Sequence, residues 1–331
     1  MFFYCNNENV RYTGRFGEVK SDGLPCSMSC TAAGAQIELA FVGEVAQLEF
    51  DVTHSDIPRA HLYIEVDGGA RVEVPVEKYI RITAKTNGTH TVKVIFKSGV
   101  EYLNRWLLPL NSKVAFVGFE ADGIEVLPPD TRKTIEFIGD SITEGILVAE
   151  EVVYEDGRFN RPWDDDATST YAWLFAEAMN LRPFTMGYGS VGTTRSGNGG
   201  VPKAAEAYPY NFDGSPVAYP SCDYIFINHG ANDRTPNTNT PKPEYLDEYE
   251  GLLKLVRKRN PNSKIIVLSP FCGAADAILP DFVKQFNENY NDNVYYISSH
   301  GWVPLEPLHP LREGHKIIAK HLTEEFKKLG I

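Results

Sequence analysis

A serine directly follows a short apolar run near the middle of the chain. Residues 134–138 read Thr-Ile-Glu-Phe-Ile, which predicts a buried strand, and Gly139, Asp140 and Ser141 come immediately after it. In α/β sheets, ligands bind at the carboxyl ends of strands, so Ser141 lies where a nucleophile could act. Gly, Asp and Ser are also common turn formers, and the triplet alone predicts no more than a turn.

Three later segments place further polar residues where they could meet this serine. Segments 189–193 (Gly-Ser-Val-Gly-Thr) and 230–233 (Gly-Ala-Asn-Asp) follow predicted strands, and 306–310 (Glu-Pro-Leu-His-Pro) precedes a closing helix. A serine hydroxyl is a poor nucleophile until a base takes its proton. The sequence therefore indicates nucleophilic ester or amide chemistry, with Ser141 as nucleophile and His309 as base.

Three other histidines fit the role of base less well. His315 falls within the predicted closing helix, His229 lies at a predicted strand end, and His300 has no acid three residues before it. Pro310 suits the first position of the closing helix. A histidine beside that positive helix end is favoured in its neutral, proton-accepting form, which supports His309.

The carboxyl-terminal part alternates predicted strands with predicted helices. Apolar runs predict strands at 134–138, 183–188, 224–228, 264–269 and 294–298. Apolar stripes at helical spacing lie within 171–178, 245–256 and 317–326. This order predicts a three-layer α/β domain with a parallel sheet of about five strands. The aperiodic segments 144–168 and 195–221 are long loops, and the first is expected to form one wall of the cleft.

The amino-terminal part, residues 10–125, predicts an all-β domain. Period-2 apolar patterns indicate about six to eight short strands, and the pairs Asp67-Gly68 and Asn87-Gly88 predict hairpin turns. Such spacing is typical of an antiparallel sandwich of jelly-roll type. The two prolines at 128 and 129 mark a linker, so we expect a β-sandwich domain at 1–128 and a catalytic domain at 129–331.

Composition and charge restrict the class of partner. The chain has 331 residues, 32 basic and 44 acidic, for a net charge of −12, which disfavours nucleic acid and anionic membranes. No apolar run approaches the ~20 residues of a membrane span. The first residues lack a basic, apolar leader, so a cytoplasmic location is expected. The five cysteines have no zinc spacing, so we expect reduced thiols, no metal and no cofactor.

Together the four segments resemble the SGNH (GDSL-type) hydrolases over roughly residues 133–331. With a β-sandwich in front, the chain is similar to carbohydrate esterase family 2, whose members remove acetyl groups from plant polysaccharides. The resemblance implies an oxyanion hole formed by the N–H groups of Ser141 and Gly192 and the side-chain amide of Asn232. Gly189 is the alternative to Gly192, and Asp140 is implied to hold the serine turn.

Glu306 stands where these hydrolases commonly have aspartate. Glutamate is one methylene longer, and we expect it to reach His309 and complete a triad. The alternative is a Ser141–His309 dyad in which a backbone carbonyl holds the imidazole. Trp163 and Trp302 lie in loops predicted near the cleft, where each could stack on a sugar ring or simply pack.

These observations predict a cytoplasmic serine esterase. It would remove O-acetyl groups from oligosaccharides of the acetyl xylan or acetyl mannan type through an acetyl-enzyme, with the acetylated saccharide as its partner. One alternative is a GDSL-type lipase or thioesterase acting on longer acyl esters. Another, from a different class, is a carbohydrate-binding protein with an inert hydrolase domain. The sequence indicates no oligomeric state.

Overall fold

The structure, a computed structural model, describes residues 1–20, 26–149, 161–235 and 238–331. Part of the expected cleft wall at 144–168, namely 150–160, lies outside the described residues. The described chain forms one antiparallel and one parallel sheet, with a small two-stranded sheet beside them. No helix in these described ranges is long and apolar enough to cross a bilayer.

Ten strands form the antiparallel sheet. They are β1 (Phe2–Tyr4), β2 (Arg11–Thr13), β3 (Gly17–Val19), β4 (Ser27–Cys30), β5 (Gln36–Phe50), β6 (His61–Val66), β7 (Val72–Pro75), β8 (Tyr79–Ser98), β9 (Val114–Glu120) and β10 (Gly123–Glu125). Their order is β3-β4-β9-β5-β8-β6-β7, with β1 paired to β9 and both β2 and β10 paired to β5. The jelly-roll-type prediction is confirmed as a curled antiparallel sheet.

Two long bent strands curl this sheet upon itself. β5 has 15 residues and β8 has 20, and their register shifts between Gly43 and Val45. Gly43 has a φ of 117°, a conformation that favours glycine, and it pairs with Gly88. The predicted hairpin at Asn87-Gly88 is therefore wrong, because this pair lies inside β8 at the bend. The Asp67-Gly68 turn does connect β6 to β7.

Five parallel strands form the second sheet, in the order β12-β11-β15-β16-β17. They are β11 (Thr134–Gly139), β12 (Arg182–Gly187), β15 (Tyr224–Asn228), β16 (Lys264–Leu268) and β17 (Tyr295–Ile297), while β13 (Tyr210–Phe212) and β14 (Ser215–Pro216) form the small sheet. The helices are α1 (Ser141–Glu144), α2 (Tyr171–Ala178), α3 (Ala204–Ala207), α4 (Tyr245–Arg259), α5 (Leu279–Tyr290) and α6 (Arg312–Lys328). The predicted parallel sheet is confirmed.

Helices cover both faces of the parallel sheet, because its strands are apolar on both sides. On one face Phe137 and Phe226 pack with Phe175 of α2 and Phe326 of α6. On the other face, apolar residues of β15 and β16 share a core with α4 and α5, and that core continues into the curled sheet. All strand ends relevant to catalysis therefore meet at one rigid edge.

Candidate active site

Ser141 is held at the junction of β11 and α1. The Asp140 carboxylate accepts a hydrogen bond from the Ile142 N–H at 3.0 Å and so caps this short helix. A Cβ on Gly139 would lie 2.1 Å from Thr143 Oγ1, so the turn has no room for a side chain there. Burial, with Asp233 adding to it, raises the pKa of Asp140 to about 7. Asp140 thus shapes the turn that presents Ser141.

His309 contacts the serine hydroxyl directly. Its Nε2 lies 2.9 Å from Ser141 Oγ, so the hydroxyl can donate to a neutral imidazole. Burial lowers the pKa of His309, the positive charge of Arg161 lowers it further, and the negative charge of Glu101 opposes both. The imidazole is therefore poised as a proton acceptor. α6 begins at Arg312, two residues after the proline that was expected to open it.

The other three candidate histidines lie elsewhere. His315 Nδ1 accepts the Tyr171 N–H at 3.0 Å, and His300 faces Asp276 at 2.8 Å on the surface. His229 is fully buried at the end of β15. None of the three has a hydrogen bond to Ser141 within the described ranges.

Glu306 does not reach His309. Its carboxylate is exposed and makes no hydrogen bond or ion pair within the described part of the chain, and His309 Nδ1 likewise has no partner there. Side chains three residues apart are neighbours on a helix, and this segment is irregular. Among the described residues, neither the expected triad contact nor the alternative contact to a backbone carbonyl is formed.

The Gly192 N–H is turned into its own loop. It donates to the Arg195 carbonyl at 3.1 Å, so it is not directed at Ser141. A Cβ on Gly192 would lie 2.6 Å from Asp233 Oδ1, the same oxygen that accepts the Thr194 N–H at 2.7 Å. The glycine is required for packing against Asp233, which differs from the substrate approach expected from the sequence.

The Gly189 N–H is also already hydrogen-bonded. This leaves Ser190 as the residue of the loop that faces Ser141. The Gly189 N–H donates to Glu144 Oε2 at 2.6 Å. Ser190 has a φ of 63° and lines the cavity of the nucleophile, and its N–H donates to no group of the described residues. Asn232 Nδ2 donates to the Val191 carbonyl at 3.0 Å, which leaves its second amide hydrogen available.

Ser141 opens into a cavity of about 360 Å³ that both domains build. The catalytic domain contributes Ser141, His309, Ser190 and Asn232, and the loop after β8 adds Glu101 and Tyr102, among others. Glu101 Oε1 pairs with Arg161 at 3.3 Å, and its Oε2 accepts from Asn198 at 3.0 Å. Sequence reasoning missed Glu101 and Tyr102, because no motif marks this loop as part of the site.

A buried ion pair joins the same loop to the turn below Ser190. Arg105 makes two hydrogen bonds to the Glu144 carboxylate, one of them 3.2 Å long, and both side chains are nearly inaccessible to solvent. Glu144 in turn accepts the Gly189 N–H. The curled sheet thus fixes the backbone that precedes Ser190.

One family model matches most of the carboxyl-terminal part of the chain. The model of the GDSL-like lipase/acylhydrolase family matches residues 137–317, more than half of the chain. The chain belongs to this family. The predicted resemblance to the SGNH (GDSL-type) hydrolases is confirmed, and so is the broader prediction of a carboxylic ester hydrolase. No curated protein sequence matches the chain significantly.

Solved structures share the fold over nearly the whole length. A family two carbohydrate esterase from Cellvibrio japonicus superposes with a TM-score of 0.79 at 17% identity, covering 99% of this chain and 97% of that one. The Clostridium thermocellum enzyme in complex with cellohexaose gives 0.73 at 23%, covering 97% and 99%. An acetyl xylan esterase from Butyrivibrio proteoclasticus gives 0.75 at 21%, covering 100% and 98%. At these identities the likeness establishes the two-domain fold.

The two candidate tryptophans pack against histidines. Trp163 is 48% exposed and packs edge-on against His61, with ring centroids 4.4 Å apart. Trp302 stacks on His321 of α6 at 5.5 Å. Neither is among the described residues that line the cavity of Ser141. Within the described ranges, no group of His, Cys, Asp and Glu side chains is arranged to hold a metal ion.

Proposed function

We propose that this protein is a serine esterase that removes O-acetyl groups from oligosaccharides of the acetyl xylan or acetyl mannan type. The observation that carries the proposal is the 2.9 Å hydrogen bond between Ser141 and His309 inside a small, largely polar cavity. Two solved structures support the choice of substrate, since one is called an acetyl xylan esterase and the other holds cellohexaose.

The geometry supports a two-step acyl transfer. Ser141 Oγ attacks the acetyl carbonyl while His309 Nε2 takes its proton, and the tetrahedral oxyanion forms beside the Ser141 N–H, the Ser190 N–H and the free amide hydrogen of Asn232. The imidazolium then gives its proton to the sugar oxygen as the C–O bond breaks, which releases the sugar hydroxyl and leaves an acetyl-serine. Water, activated by the same histidine, releases acetate and restores the serine.

The cavity supports a short acyl group over a long one. Its volume is about 360 Å³, and charged or polar side chains such as Glu101, Arg161 and Asn198 line it alongside Ile142 and Leu147. A lipase or thioesterase needs a continuous apolar channel for its acyl chain, because each methylene gains about 0.8 kcal/mol only where it is buried among apolar groups. The hydrogen-bonded nucleophile also disfavours an inert domain that only binds carbohydrate.

One experiment tests the nucleophile and the acyl length together. Specificity constants are measured for p-nitrophenyl acetate, butyrate and octanoate, beside acetate release from acetylated xylan and mannan oligosaccharides. We expect acetate to exceed octanoate by about a hundredfold or more. Ser141→Ala should lower the specificity constant on the order of a millionfold. Ser298→Ala, which changes an exposed serine, should leave it at the wild-type value. A rate that rises with chain length would favour the lipase alternative.

We also propose that the enzyme acts in the cytoplasm, on saccharides taken up by the cell. All five cysteines are free thiols in the structure, as suits a reducing compartment. Fractionation of the native cells tests this location. Activity confined to the culture medium or the cell envelope would contradict it.

A further inference from the structure

A second cavity adjoins the catalytic one and shares part of its wall. It has a volume of about 580 Å³ and has Ala231, Asn232 and Leu308 in common with the cavity of Ser141. Arg195, Arg234 and Glu306 also line it. A substrate whose ester carbonyl lies beside Asn232 therefore has a path from the nucleophile into this second cavity.

The two arginines on this wall have no carboxylate of the described residues within 4 Å. The Arg195 side chain has no hydrogen-bond or ion-pair partner in the described ranges, and Arg234 contacts only the Ala231 carbonyl, at 2.7 Å, and Asn239, at 3.4 Å. Of all the described arginines, only two others lack such a carboxylate, Arg81 and Arg182. Two of the four described arginines without such a carboxylate therefore line the same cavity, in a chain with 44 acidic residues.

The local charge of the cavity is opposite to that of the whole chain. Glu306 is the one carboxylate among the described residues of this wall, so the lining carries two positive charges against one negative. It forms no ion pair with either arginine. The net charge of −12 acts over longer distances, where salt screens it beyond about 8 Å. A group inside the cavity is governed mainly by the arginines.

We propose that this second cavity binds an anionic group of the substrate, a carboxylate or a phosphate. The enzyme would then prefer acetylated saccharides that carry a negative charge near the ester. Guanidinium groups suit this task because their planar N–H donors match carboxylate and phosphate oxygens in pairs. Arg234 is held in place by the Ala231 carbonyl, while Arg195 is free to close on the ligand. The inference rests on the acetylesterase function proposed above.

The test compares esters that differ only in charge. Specificity constants are measured for acetylated methyl glucuronoside, methyl glucoside and methyl glucoside 6-phosphate. We expect the wild type to favour a charged ester over the neutral one by about tenfold or more. Preference for the glucuronoside or for the phosphate identifies the anion. Raising the salt concentration should reduce the preference, since the contacts are exposed to solvent.

Substitutions in the lining test whether the charge of its side chains determines the preference for a charged ester. Arg195→Gln and Arg234→Gln should each lower the ratio of charged to neutral ester about tenfold, Arg195→Glu should lower it further, and Glu306→Gln should raise it. Arg81→Gln is the matched control, because Arg81 also lacks a carboxylate but lies on β8, and its ratio should stay at the wild-type value.

A ratio near one in the wild type, or an Arg195→Gln ratio equal to that of the wild type, would overturn the proposal. Loss of hydrolysis of every ester would instead contradict the acetylesterase function. In that case, calorimetry of Ser141→Ala with methyl glucuronoside and with inorganic phosphate shows whether the second cavity binds an anion. Binding that Arg195→Glu abolishes supports the site, and an absence of binding by either ligand refutes it.

Discussion

Ser141 and His309 are hydrogen-bonded, and no carboxylate of the described residues contacts the imidazole. The hydroxyl lies 2.9 Å from Nε2, while Nδ1 has no partner among the described residues. Burial lowers the pKa of His309, which favours the neutral form required of a base.

Glu306→Gln should therefore have little effect on the chemical step. In serine proteases, loss of the triad carboxylate lowers kcat about 10⁴-fold. Here the carboxylate faces the second cavity, and we expect kcat for p-nitrophenyl acetate to fall by less than about tenfold. Steady-state kinetics of the purified variant measures this. A loss of a thousandfold or more would show that Glu306 reaches His309 during turnover.

The pH profile should report the shifted pKa of His309. The neutral imidazole is the active form, so a lowered pKa keeps the enzyme active down to lower pH than the ordinary value of about 6.5 would allow. Glu101→Gln removes a negative charge that stabilises the imidazolium, and so should move the acidic limb of kcat/KM to still lower pH. Glu125→Gln, on exposed β10, is the control. An upward shift in Glu101→Gln would contradict this assignment.

At this scale the sequence indicated Ser141 and His309, which lie in hydrogen-bond contact, but not the residues around them. Ser141 and His309 could be located because a strand end and a helix start are visible as local patterns. The disposition of Glu306 depends on an irregular loop, which spacing does not determine. Glu101 comes from another domain, and no local pattern relates it to His309.

At the scale of elements, the turn that carries Ser190 is held by the curled sheet. Arg105 binds Glu144, and Glu144 binds the Gly189 N–H, so one buried chain of hydrogen bonds runs from the loop after β8 to this turn. A Cβ on Gly189 would lie 2.0 Å from Glu101 Oε2, which shows how closely the two domains meet here. The turn therefore depends on the loop for its position.

Arg105→Gln should lower kcat more than it changes KM. A small displacement of catalytic groups can cost about a hundredfold in rate, and we expect a loss of about ten- to a hundredfold. Leaving Glu144 buried without its partner should also cost about 3–5 kcal/mol in the free energy of unfolding. The double variant Arg105→Gln/Glu144→Gln should recover stability without recovering kcat. A change in KM with kcat left at the wild-type value would contradict a positioning role.

Elements with a clear period were predicted better than those whose shape depends on tertiary context. The five parallel strands have continuous apolar runs and were located within about two residues. α5 was missed, although Leu279, Phe282, Val283 and Phe286 have helical spacing. The bend in β5 and β8 could not be predicted, because Asn87-Gly88 is a strong local hairpin signal that the pairing with Gly43 overrides.

At the scale of the whole molecule, the two sheets share one core. Buried apolar residues of the curled sheet belong to the same cluster as those beneath one face of the parallel sheet. A fully buried ion pair crosses this boundary, in which Arg15 lies 2.8 Å from Glu136 of β11. The same guanidinium also donates to the Tyr208 and Tyr210 carbonyls, at 2.9 and 2.8 Å. The two domains are thus expected to unfold as one cooperative unit.

Arg15→Met should test that coupling most directly. It leaves the Glu136 carboxylate buried with Arg259, at 3.4 Å, as its one charged partner among the described residues, and we expect the free energy of unfolding to fall by about 3–5 kcal/mol. Arg71→Met is the matched control, since Arg71 also joins the two domains through an ion pair, to Glu177 at 3.0 Å, but on the exposed surface. That pair should contribute about 1 kcal/mol or less.

Urea unfolding followed by tryptophan fluorescence and by esterase activity measures both variants. Coincident transitions in the wild type, with a much larger loss in Arg15→Met than in Arg71→Met, are the expected result. Separate transitions for the two probes, or equal losses in the two variants, would show that the domains fold independently and that the buried pair does not couple them.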